Sequence, residues 1–491
     1  MSELLHPSVL LPWLLGMCFG VFVGATPGLT ATMAVALIVP ISFHMEPAAG
    51  LALIIGVSFT AIFAGDIPAT YLRIPGTPAS AAATLDGHEM AKRGKGGLAL
   101  TLDLFCSSIG GLIGVTLLIF VAPQLARFAL SFSNFEYFWL GILGLSMSAL
   151  VSQGSTAKAL LSATLGMLLS TVGMDIVSGT PRFTFGEQNL LSGLGFIPVM
   201  IGLFGLSEVL RNVTSPLVEV KADDRAASDI SPVEALVTIW KHKWTVIRSA
   251  IAGTFIGALP GAGADIAAWG AYGIEQKVSK EPDKFGTGVP EGVVAPTSAN
   301  NAAVGGAWIP ALVFGVPGDA VTAIVLGALM MYDIKAGPMI FEQSGSQVQA
   351  IFMIALVTQL LLLPAGLLGI KAFGWIMRLP RSVVLTAVVL FSVVGSYALN
   401  NSMFDVWVMF VFALVGLFLE SHKVPLAPMI LGLILGPMVE ENLRTGLIKT
   451  SGEFTPFFTR PISACLFGLL LVAFLSVPFS RLFKSKRDMP G

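Results

Sequence analysis

The chain has 491 residues, of which 55% are hydrophobic and only 12% are charged, and its mean hydropathy is +0.83. An ordinary soluble domain carries roughly 25% charged residues, so this composition excludes a single soluble core and indicates a polytopic membrane protein. The net charge of −1 gives no overall attraction to nucleic acid or to an anionic surface.

Apolar runs long enough to cross a bilayer, roughly 17 to 25 residues each, follow one another along most of the chain. Several are short or interrupted by glycine and proline, so we expect about 12 transmembrane spans together with half-helices. The predicted fold class is all-α, with broken helices or re-entrant hairpins. The runs lie near 8–25, 29–45, 47–65, 98–122, 134–152, 157–174, 190–210, 244–259, 301–316, 319–332, 348–376, 382–399, 403–419 and 462–480.

One stretch of the chain occurs twice, because Gly20–Gly28 (GVFVGATPG) returns as Gly253–Gly261 (GTFIGALPG). Each copy interrupts an apolar run with Pro-Gly, and backbone groups freed at bilayer depth persist only where protein encloses them. The duplication predicts a first membrane repeat over 1–211, a polar linker over 212–243, and a second membrane repeat over 244–491 that ends in a basic tail.

Loop charge predicts how the two repeats are oriented, because cytoplasmic loops are enriched in lysine and arginine. In the first repeat Lys92 and Arg93 follow the second interruption, whereas in the second repeat Lys277 and Lys280 follow the first interruption. Equivalent loops that face opposite sides indicate an inverted-topology repeat. The basic residues over 481–487 place the C-terminus on the cytoplasmic side.

Four Pro-Gly interruptions, here called breaks, occur in pairs. Break A is Gly24–Thr32, break B is Ile74–Ser80, break C is Gly257–Asp265 and break D is Val316–Thr322. A helix that restarts after Pro-Gly presents unpaired N–H groups and roughly half a positive charge, which suits a carboxylate. Secondary transporters form their substrate sites from broken helices at matching positions in two halves. We therefore predict that the four breaks converge on an anion with several carboxylates.

The predicted substrate-binding residues are glycines and prolines of the breaks, with hydroxyl and amide side chains beside them. Asn300 and Asn301 precede the apolar run that begins at Ala302, so they cap that run or contact the solute. The full set is Thr26, Pro27, Gly28, Thr30, Gly76, Thr77, Ser80, Pro260, Gly261, Gly263, Asn300, Asn301 and Gly318.

Three carboxylates lie in or beside the breaks: Asp66, Asp265 and Asp319. An ionised carboxylate in an apolar setting must be paired, bind a cation or become protonated. These residues are the predicted coupling site for sodium or a proton, with Asp265 and Asp319 as the candidate sodium ligands. Asp66 can equally cap a helix that begins at Pro68.

Other features of the same regions have structural interpretations. The glycines before breaks A and C fit the small-xxx-small pattern by which membrane helices approach closely. Asp103 and Asp405 stand at the beginning of apolar runs, where a carboxylate stabilises a helix N-terminus. The segment 288–296, which contains Glu291, has the proline and glycine content of a mobile segment that gates or positions the site.

At these motifs the chain resembles the large permease subunit of the tripartite tricarboxylate transporter family of bacteria. The matching segments are Gly24–Met33, Ile74–Ala83 with Asp86-Gly87, Leu259–Trp269, Lys284–Gly288, Glu291-Gly292 and Ala299–Ala302. The resemblance implies a multi-pass permease of the inner membrane that works with a small membrane subunit and a periplasmic solute-binding protein. It also implies a carboxylate substrate and symport with sodium or protons, without ATP or another cofactor.

The leading function is therefore a secondary active transporter that imports a di- or tricarboxylate, and we expect no enzymatic activity. A passive anion channel is the alternative, and an intramembrane enzyme is a weaker one because the chain has neither HExxH nor a GxGD setting around its aspartates. We expect no nucleic-acid partner. The sequence leaves open which carboxylate is carried and whether the protein forms a homodimer.

Overall fold

The structure is a computed structural model, and it describes residue 4 and residues 6–152, 154–214 and 230–487. The middle of the predicted polar linker, 215–229, lies outside the described residues, as do the side chains of the basic tail. The described chain is almost entirely helical, with one antiparallel pair of two-residue strands, β1 (Gly173–Met174) and β2 (Pro181–Arg182). The prediction of an all-α protein is confirmed.

The chain divides into two compact units. Unit 1 consists of residues 1–126 and 197–418, and unit 2 of residues 127–196 and 419–491. All four breaks belong to unit 1. Short 3-10 turns occur at Pro78–Ser80, Gln188–Leu190 and Pro282–Lys284, and a π-helical stretch occurs at Ile201–Leu206.

The helices of unit 1, of which α6, α9 and α19 extend past its limits, are α1 (Pro7–Gly24), α2 (Ala31–Ser42), α3 (Pro47–Ala64), α4 (Asp66–Leu72), α5 (Ala81–Lys92), α6 (Gly96–Ala129), α9 (Phe196–Met200), α10 (Ser207–Thr214), α11 (Pro232–Lys241), α12 (Lys243–Gly257), α13 (Gly263–Val278), α14 (Pro290–Phe314), α15 (Ala320–Met331), α16 (Ile340–Gln343), α17 (Gly345–Ile376), α18 (Arg381–Asn400) and α19 (Met403–Ser421). The helices of unit 2 are α7 (Asn134–Val151), α8 (Thr156–Ser170), α20 (Ala427–Lys449), α21 (Thr455–Thr459) and α22 (Pro461–Arg487).

Eight helices of the described chain are long and apolar enough to cross a bilayer. The protein is therefore a multi-pass membrane protein, as its composition predicts, while the figure of about 12 spans stays a prediction. The eight are Pro7–Gly24, Pro47–Leu72, Gly96–Ala129, Asn134–Val151, Phe196–Val213, Gly345–Ile376, Ser382–Asn400 and Met403–Ser421.

Two helix pairs with the same kind of glycine contact form the centre of unit 1. In the α1–α3 pair, a Cβ added at Gly24 would lie 2.4 Å from the Ala61 carbonyl oxygen. In the α12–α14 pair, a Cβ added at Gly257 would lie 2.2 Å from the Ala303 carbonyl oxygen. Both distances are too short for any side chain, so these glycines let two helix backbones touch. The packing interpretation of the small-xxx-small pattern is confirmed at these positions.

Helix α14 begins earlier than the sequence predicts. It starts at Pro290 and is buried along nearly all of its length. The prediction of a mobile gate over 288–296 is therefore wrong from Pro290 onward, because proline at the first position of a helix needs no N–H partner and starts a helix readily. Asn300 and Asn301 lie in the middle of α14 and cap nothing.

Unit 2 is held together by glycine contacts and by a cluster of charges. A Cβ added at Gly432 of α20 would lie 2.2 Å from the Ala163 carbonyl oxygen of α8. Near the β1–β2 turn, Arg444 donates to Asp175 at 2.5 Å. This arginine, with the N–H groups of the turn, holds the pKa of the Asp175 carboxyl well below its usual range.

Candidate functional site

Breaks A and C interrupt the chain in the same way. Helix α1 ends at Gly24 and α2 begins at Ala31, and between them Gly28 adopts a left-handed φ of +89°. Helix α12 ends at Gly257 and α13 begins at Gly263, with Gly261 at +81°. Glycine adopts these angles without steric cost, whereas other residues rarely do. The prediction that Pro-Gly breaks the helix is confirmed at both places.

Breaks B and D also share one geometry. Helix α4 ends at Arg73 with φ +58°, and α14 ends at Gly315 with φ +69°, so each helix ends on a left-handed residue. The N–H of Ile74 donates to the Pro68 carbonyl at 3.5 Å, and the N–H of Val316 donates to the Pro310 carbonyl at 3.3 Å. These are left-handed helix terminations of the kind that glycine favours.

The two breaks of each half lie against each other. A Cβ added at Gly76 of break B would be 2.3 Å from the Gly24 carbonyl oxygen of break A. A Cβ added at Gly318 of break D would be 2.4 Å from the Gly257 carbonyl oxygen of break C. The N–H of Gly261 also donates to the Gly318 carbonyl at 2.7 Å. Pairing within each half therefore depends on glycine.

Contacts between the halves cross over. Helix α2, which follows break A, packs on α15, which follows break D, while α13, which follows break C, packs on the turn of break B and on α5. The Tyr332 hydroxyl after α15 donates to the Ser42 carbonyl at the end of α2, at 2.5 Å. The helices that restart after the four breaks thus form two contacting groups within unit 1.

The hydroxyl groups of breaks A and B have local partners. The Thr26 hydroxyl donates to the Phe22 carbonyl at 2.7 Å, and the Thr30 hydroxyl accepts from the Met33 N–H at 3.1 Å as the N-cap of α2. The Thr77 and Ser80 hydroxyls lie 2.9 Å apart in break B. A solute that binds these residues must share or replace these bonds.

Asp66 lies in a buried polar cluster between the halves. It is 1% exposed, and its Oδ2 accepts from the Asn300 amide at 3.3 Å. Ser80 and Asp103 are also near enough to interact with its side chain. Asp66 is itself the first residue of α4, which has Gly65 as its N-cap, so the helix begins before Pro68 and the interpretation of Asp66 as a cap for a break that begins at Pro68 is wrong. The side-chain amide of Asn301 makes no hydrogen bond to this cluster, and its nitrogen and oxygen are buried without hydrogen-bond partners among the described residues.

Asp103 belongs to the same cluster, which the sequence analysis missed. Helix α6 begins at Gly96, so Asp103 lies two turns inside it rather than at its N-terminus. The prediction of a helix-end role is wrong, because the seven residues before Asp103, from Gly96 onward, are themselves helical. A carboxylate within a predicted span is a signal that identifies such a residue, since buried charge in a membrane is rare without a function.

Asp319 and Asp265 have different surroundings. Asp319 is the N-cap of α15, where its Oδ1 accepts from the Thr322 N–H at 2.8 Å and from the Thr322 hydroxyl at 2.7 Å. Asp265 lies in the first turn of α13, and its carboxyl is close enough to Asp319 for an electrostatic interaction between the two side chains. No group of three or more His, Cys, Asp or Glu that could hold a metal occurs among the residues described.

Asp86 on α5 anchors a loop of the other half. Its carboxylate accepts from the backbone N–H groups of Gly286, Gly288 and Val289 at 2.7 to 3.0 Å, and from the Tyr272 hydroxyl at 2.9 Å. Several N–H groups aimed at one carboxylate form an anion-binding concavity. Asp86 is completely buried, so these bonds stabilise its charge.

Asn212 of α10 forms a hydrogen bond with break A. Its side-chain amide donates to the Gly28 carbonyl at 2.9 Å, and a Cβ added at Gly28 would lie 2.8 Å from its Oδ1. The predicted polar linker begins at residue 212, whereas in the structure α10 continues through this residue. A separate groove of about 1000 Å³, which includes His6 and Glu46, contains none of the predicted site residues.

Comparisons with known proteins identify a family and two relatives. A model of the family described as "Tripartite tricarboxylate transporter TctA family" matches residues 10–431. A protein of Agrobacterium vitis, described as "Uncharacterized 52.8 kDa protein in TAR-I ttuC' 3'region", is 35% identical over 482 residues, which cover 96% of this chain and 93% of that protein. Another A. vitis protein, described as "Uncharacterized protein in TAR-II ttuC' 3'region", is 36% identical over 236 residues, 48% of this chain and 97% of its own. No solved structure matches the chain.

Proposed function

Because the chain belongs to the tripartite tricarboxylate transporter TctA family, we propose that it is the permease subunit of a secondary active transporter that imports a di- or tricarboxylate. The observation that carries this proposal is the contact pattern of the four breaks. The restarting helices α2, α5, α13 and α15 lie within one unit and pack crosswise, α2 on α15 and α5 on α13. Transporters of many folds bind substrate where broken helices of two repeats meet.

The crosswise contacts also support a duplication of the broken helices, and we propose that the two halves have inverted topology and together make about 12 spans. Equivalent glycines touch equivalent carbonyls in each half, at Gly24 and Ala61 and at Gly257 and Ala303. A two-fold axis in the membrane plane would exchange the α2–α15 pair with the α13–α5 pair. Such an axis places equivalent loops on opposite sides of the bilayer, in agreement with the loop charges.

The substrate site is proposed at the N-terminal ends of the restarting helices. Each end offers N–H groups without helical partners and a positive partial charge, and both attract a carboxylate. The proposed substrate-binding residues are Thr26, Pro27, Gly28 and Thr30 of break A; Gly76, Thr77 and Ser80 of break B; Pro260, Gly261 and Gly263 of break C; and Gly318 of break D, with Asn300 and Asn301 beside them. Such an arrangement favours an anion whose carboxylates are spaced along one molecule.

Transport is proposed to be symport with sodium or protons, with Asp66, Asp265 and Asp319 as the coupling residues and Asp265 and Asp319 as the sodium option. The proposed partners are a small membrane subunit and a periplasmic binding protein, and the proposed location is the bacterial inner membrane with a cytoplasmic C-terminus. Binding at a central site that opens to one side at a time accounts for uptake without ATP.

Uptake in proteoliposomes tests this function. The permease, its small subunit and its binding protein are reconstituted, and radiolabelled citrate, malate and succinate are supplied with a sodium gradient, a proton gradient or neither. We expect saturable uptake of at least one of these anions that needs the binding protein and a gradient. Flux that needs neither would identify a passive channel and contradict the proposal.

Two variants locate the site. Ser80→Ala removes a hydroxyl of break B, whereas Thr164→Val changes an exposed threonine of unit 2. We expect the first to raise the anion concentration needed for half-maximal uptake by about tenfold, as loss of one charge-assisted hydrogen bond predicts. The second should leave uptake unchanged. Equal effects of the two variants would contradict a site at break B.

A further inference from the structure

Helix α11 has two apolar faces, of which one is buried and the other exposed. Ala235 and Ile239 belong to a buried cluster with residues of α5, α6, α12 and α14. The exposed face consists of large side chains at the i, i+3, i+4 and i+7 spacing of one helix stripe, which are Val233, Leu236, Val237 and Trp240. A contiguous apolar patch on a surface marks a site of contact with protein or membrane.

The exposed stripe continues into the next helix. Beyond the corner at His242, where α11 ends and α12 begins, the exposed apolar side chains are Trp244, Ile247, Ile251 and Phe255. The small residues of α12 lie on its other side, where Gly253 and Gly257 touch the backbone of α14. Membrane helices pack on one another through small residues, whereas large branched and aromatic side chains suit lipid chains. The stripe of α11 is therefore continuous with a surface suited to lipid.

The corner between α11 and α12 combines tryptophan with lysine. Trp240 and Trp244 are 72% and 69% exposed, and Lys243 Nζ lies 4.5 Å from the centre of the Trp240 ring. Lys241 and Lys243 are exposed as well. Tryptophan concentrates at the boundary between membrane and water, and lysine keeps its charged end in water while its methylene stem covers apolar surface. Both residue types favour a position at the lipid headgroups.

A second basic segment lies beside α11. Met90 and Leu98 belong to the same buried cluster as the inner face of α11, so the 91–97 turn between them is at the same end of unit 1. This turn contains Arg93 and Lys95, and both are exposed. Basic side chains of two segments thus stand on one end of the unit, where they attract anionic headgroups.

The acidic residues around the corner have other partners. Glu291 Oε1 at the start of α14 lies 3.5 Å from His242 Nδ1, and Glu275 of α13 pairs with Arg248. Within α11 itself the acidic residue is Glu234, at the opposite end from the corner. The lysines of the corner therefore retain a net positive charge that faces outward.

We propose that α11 lies in the membrane interface and that the α11–α12 corner binds the headgroups of anionic phospholipids. The exposed stripe enters the outer part of the acyl-chain layer, while Lys241 and Lys243, together with Arg93 and Lys95, contact the phosphate groups. The abundance of lysine and arginine assigns this surface to the cytoplasmic leaflet. Lipid binding at the corner is independent of which anion or coupling ion the protein carries.

Spin labels test the position of α11 in the full-length protein. Cys18→Ser, Cys106→Ala and Cys465→Ser remove the native thiols, and Val237→Cys or Glu234→Cys supplies one label on the stripe or on the polar side of the same helix. In phosphatidylcholine–phosphatidylglycerol vesicles, collisions with oxygen, which dissolves among acyl chains, are compared with collisions with a water-soluble nickel complex. We expect the oxygen-to-nickel ratio at Val237 to exceed that at Glu234 severalfold.

Lipid titration tests the headgroup specificity. The detergent-purified protein is titrated with phosphatidylglycerol or phosphatidylcholine, and bound lipid is counted by native mass spectrometry. The variant Lys241→Gln/Lys243→Gln should need about thirtyfold more phosphatidylglycerol than the wild type, because each basic group near anionic headgroups contributes about fivefold. The control Lys277→Gln/Lys280→Gln, which removes two exposed lysines at the other end of α13, should bind like the wild type.

Three results would overturn the proposal. They are equal oxygen-to-nickel ratios at Val237 and Glu234, equal wild-type affinity for the two lipids, and an equal loss of phosphatidylglycerol binding in the control. Folding of each variant is checked by its elution as a single species, and Leu236→Cys replaces Val237→Cys if the latter is unstable.

A last measurement distinguishes lipid from a protein partner. The small membrane subunit is reconstituted together with the labelled permease, and the oxygen-to-nickel ratio at Val237 is measured again. We expect the ratio to stay unchanged, because lipid covers the stripe with or without the subunit. A fall in oxygen collisions, together with immobilisation of the label, would identify the stripe as a subunit interface and overturn the assignment to lipid.

Discussion

The N–H of Gly288 donates to the carboxylate of Asp86 at 2.7 Å, although 202 residues separate the two. Gly288 also has a φ of +93°, so the loop can turn its amides toward the carboxylate. A Cβ added at Gly292, just beyond this loop, would lie 1.9 Å from Asp86 Oδ2. One buried charge thereby fixes the start of α14 against α5 and joins the two halves.

Replacing Asp86 should release this loop. Asp86→Ala removes the charged acceptor of three partly buried N–H groups, and loss of a hydrogen bond to a charged group destabilises by about 1.5 to 3 kcal/mol. We expect a lower unfolding temperature and faster trypsin cleavage at Lys284 in the detergent-purified protein. Glu89→Gln on the same helix is the matched control, because the ion pair of Glu89 within the described part of the chain is a surface pair with Lys92. Equal cleavage of the two variants would contradict the anchoring role.

A methyl group at Gly257 should separate α12 from α14. Because the added Cβ would lie 2.2 Å from the Ala303 carbonyl oxygen, the helix backbones must move apart, and we expect Gly257→Ala to destabilise by about 1 to 3 kcal/mol. Gly273→Ala in α13 is the control, since its added Cβ meets nothing within 4 Å. There alanine should stabilise by about 0.5 to 1 kcal/mol through helix propensity. Thermal unfolding of both variants measures the difference.

The two left-handed helix ends should respond differently to substitution. Gly315→Ala places a side chain at a φ of +69° and should cost about 1 kcal/mol. Arg73→Gly changes an exposed residue that already adopts +58°, so relief of strain offsets the greater freedom of the unfolded chain. We expect its unfolding temperature to stay near that of the wild type. A larger loss for Arg73→Gly than for Gly315→Ala would show that Arg73 has a further role.

The Asp175–Arg444 pair should make unit 2 sensitive to acid. A carboxyl whose pKa is lowered by folding contributes stability above the ordinary Asp value of about 3.9, and this stability is lost as the pH falls toward the folded-state value. At neutral pH, Asp175→Asn should therefore unfold at a lower temperature than the wild type. At about pH 3 the difference should have become smaller. A difference that grows on acidification would contradict this sign.

The sequence predicts the helix breaks well because proline and glycine act locally. Gly28, Gly261 and Gly315 adopt left-handed angles where the motifs place them. The contacts of Asp103 depend instead on which helices pack together, and hydropathy does not contain that information. The start of α14 at Pro290 was missed because the polar residues before Ala302 hide a helix that is buried among protein rather than lipid.

Long-range contacts decide what the predicted site residues do, and the local sequence pattern does not identify these contacts. Asn300 was predicted from its place beside an apolar run, yet its contact with Asp66 arises because α14 packs on α3, which leads directly into α4. Asn212 was assigned to a linker, although it bonds to the Gly28 carbonyl. Such pairs join residues far apart in the chain, so only the packed fold brings them together.

Helices α2 and α15 contain 12 residues each and are therefore about 18 Å long, against about 30 Å for the hydrocarbon layer. Neither can enter the bilayer alone during synthesis as a complete span. The polar groups at the ends of each helix must be covered by neighbouring helices. For α2, the neighbouring helix α15 is synthesised only some 300 residues later. Biogenesis of the N-terminal half therefore finishes only when the C-terminal half arrives.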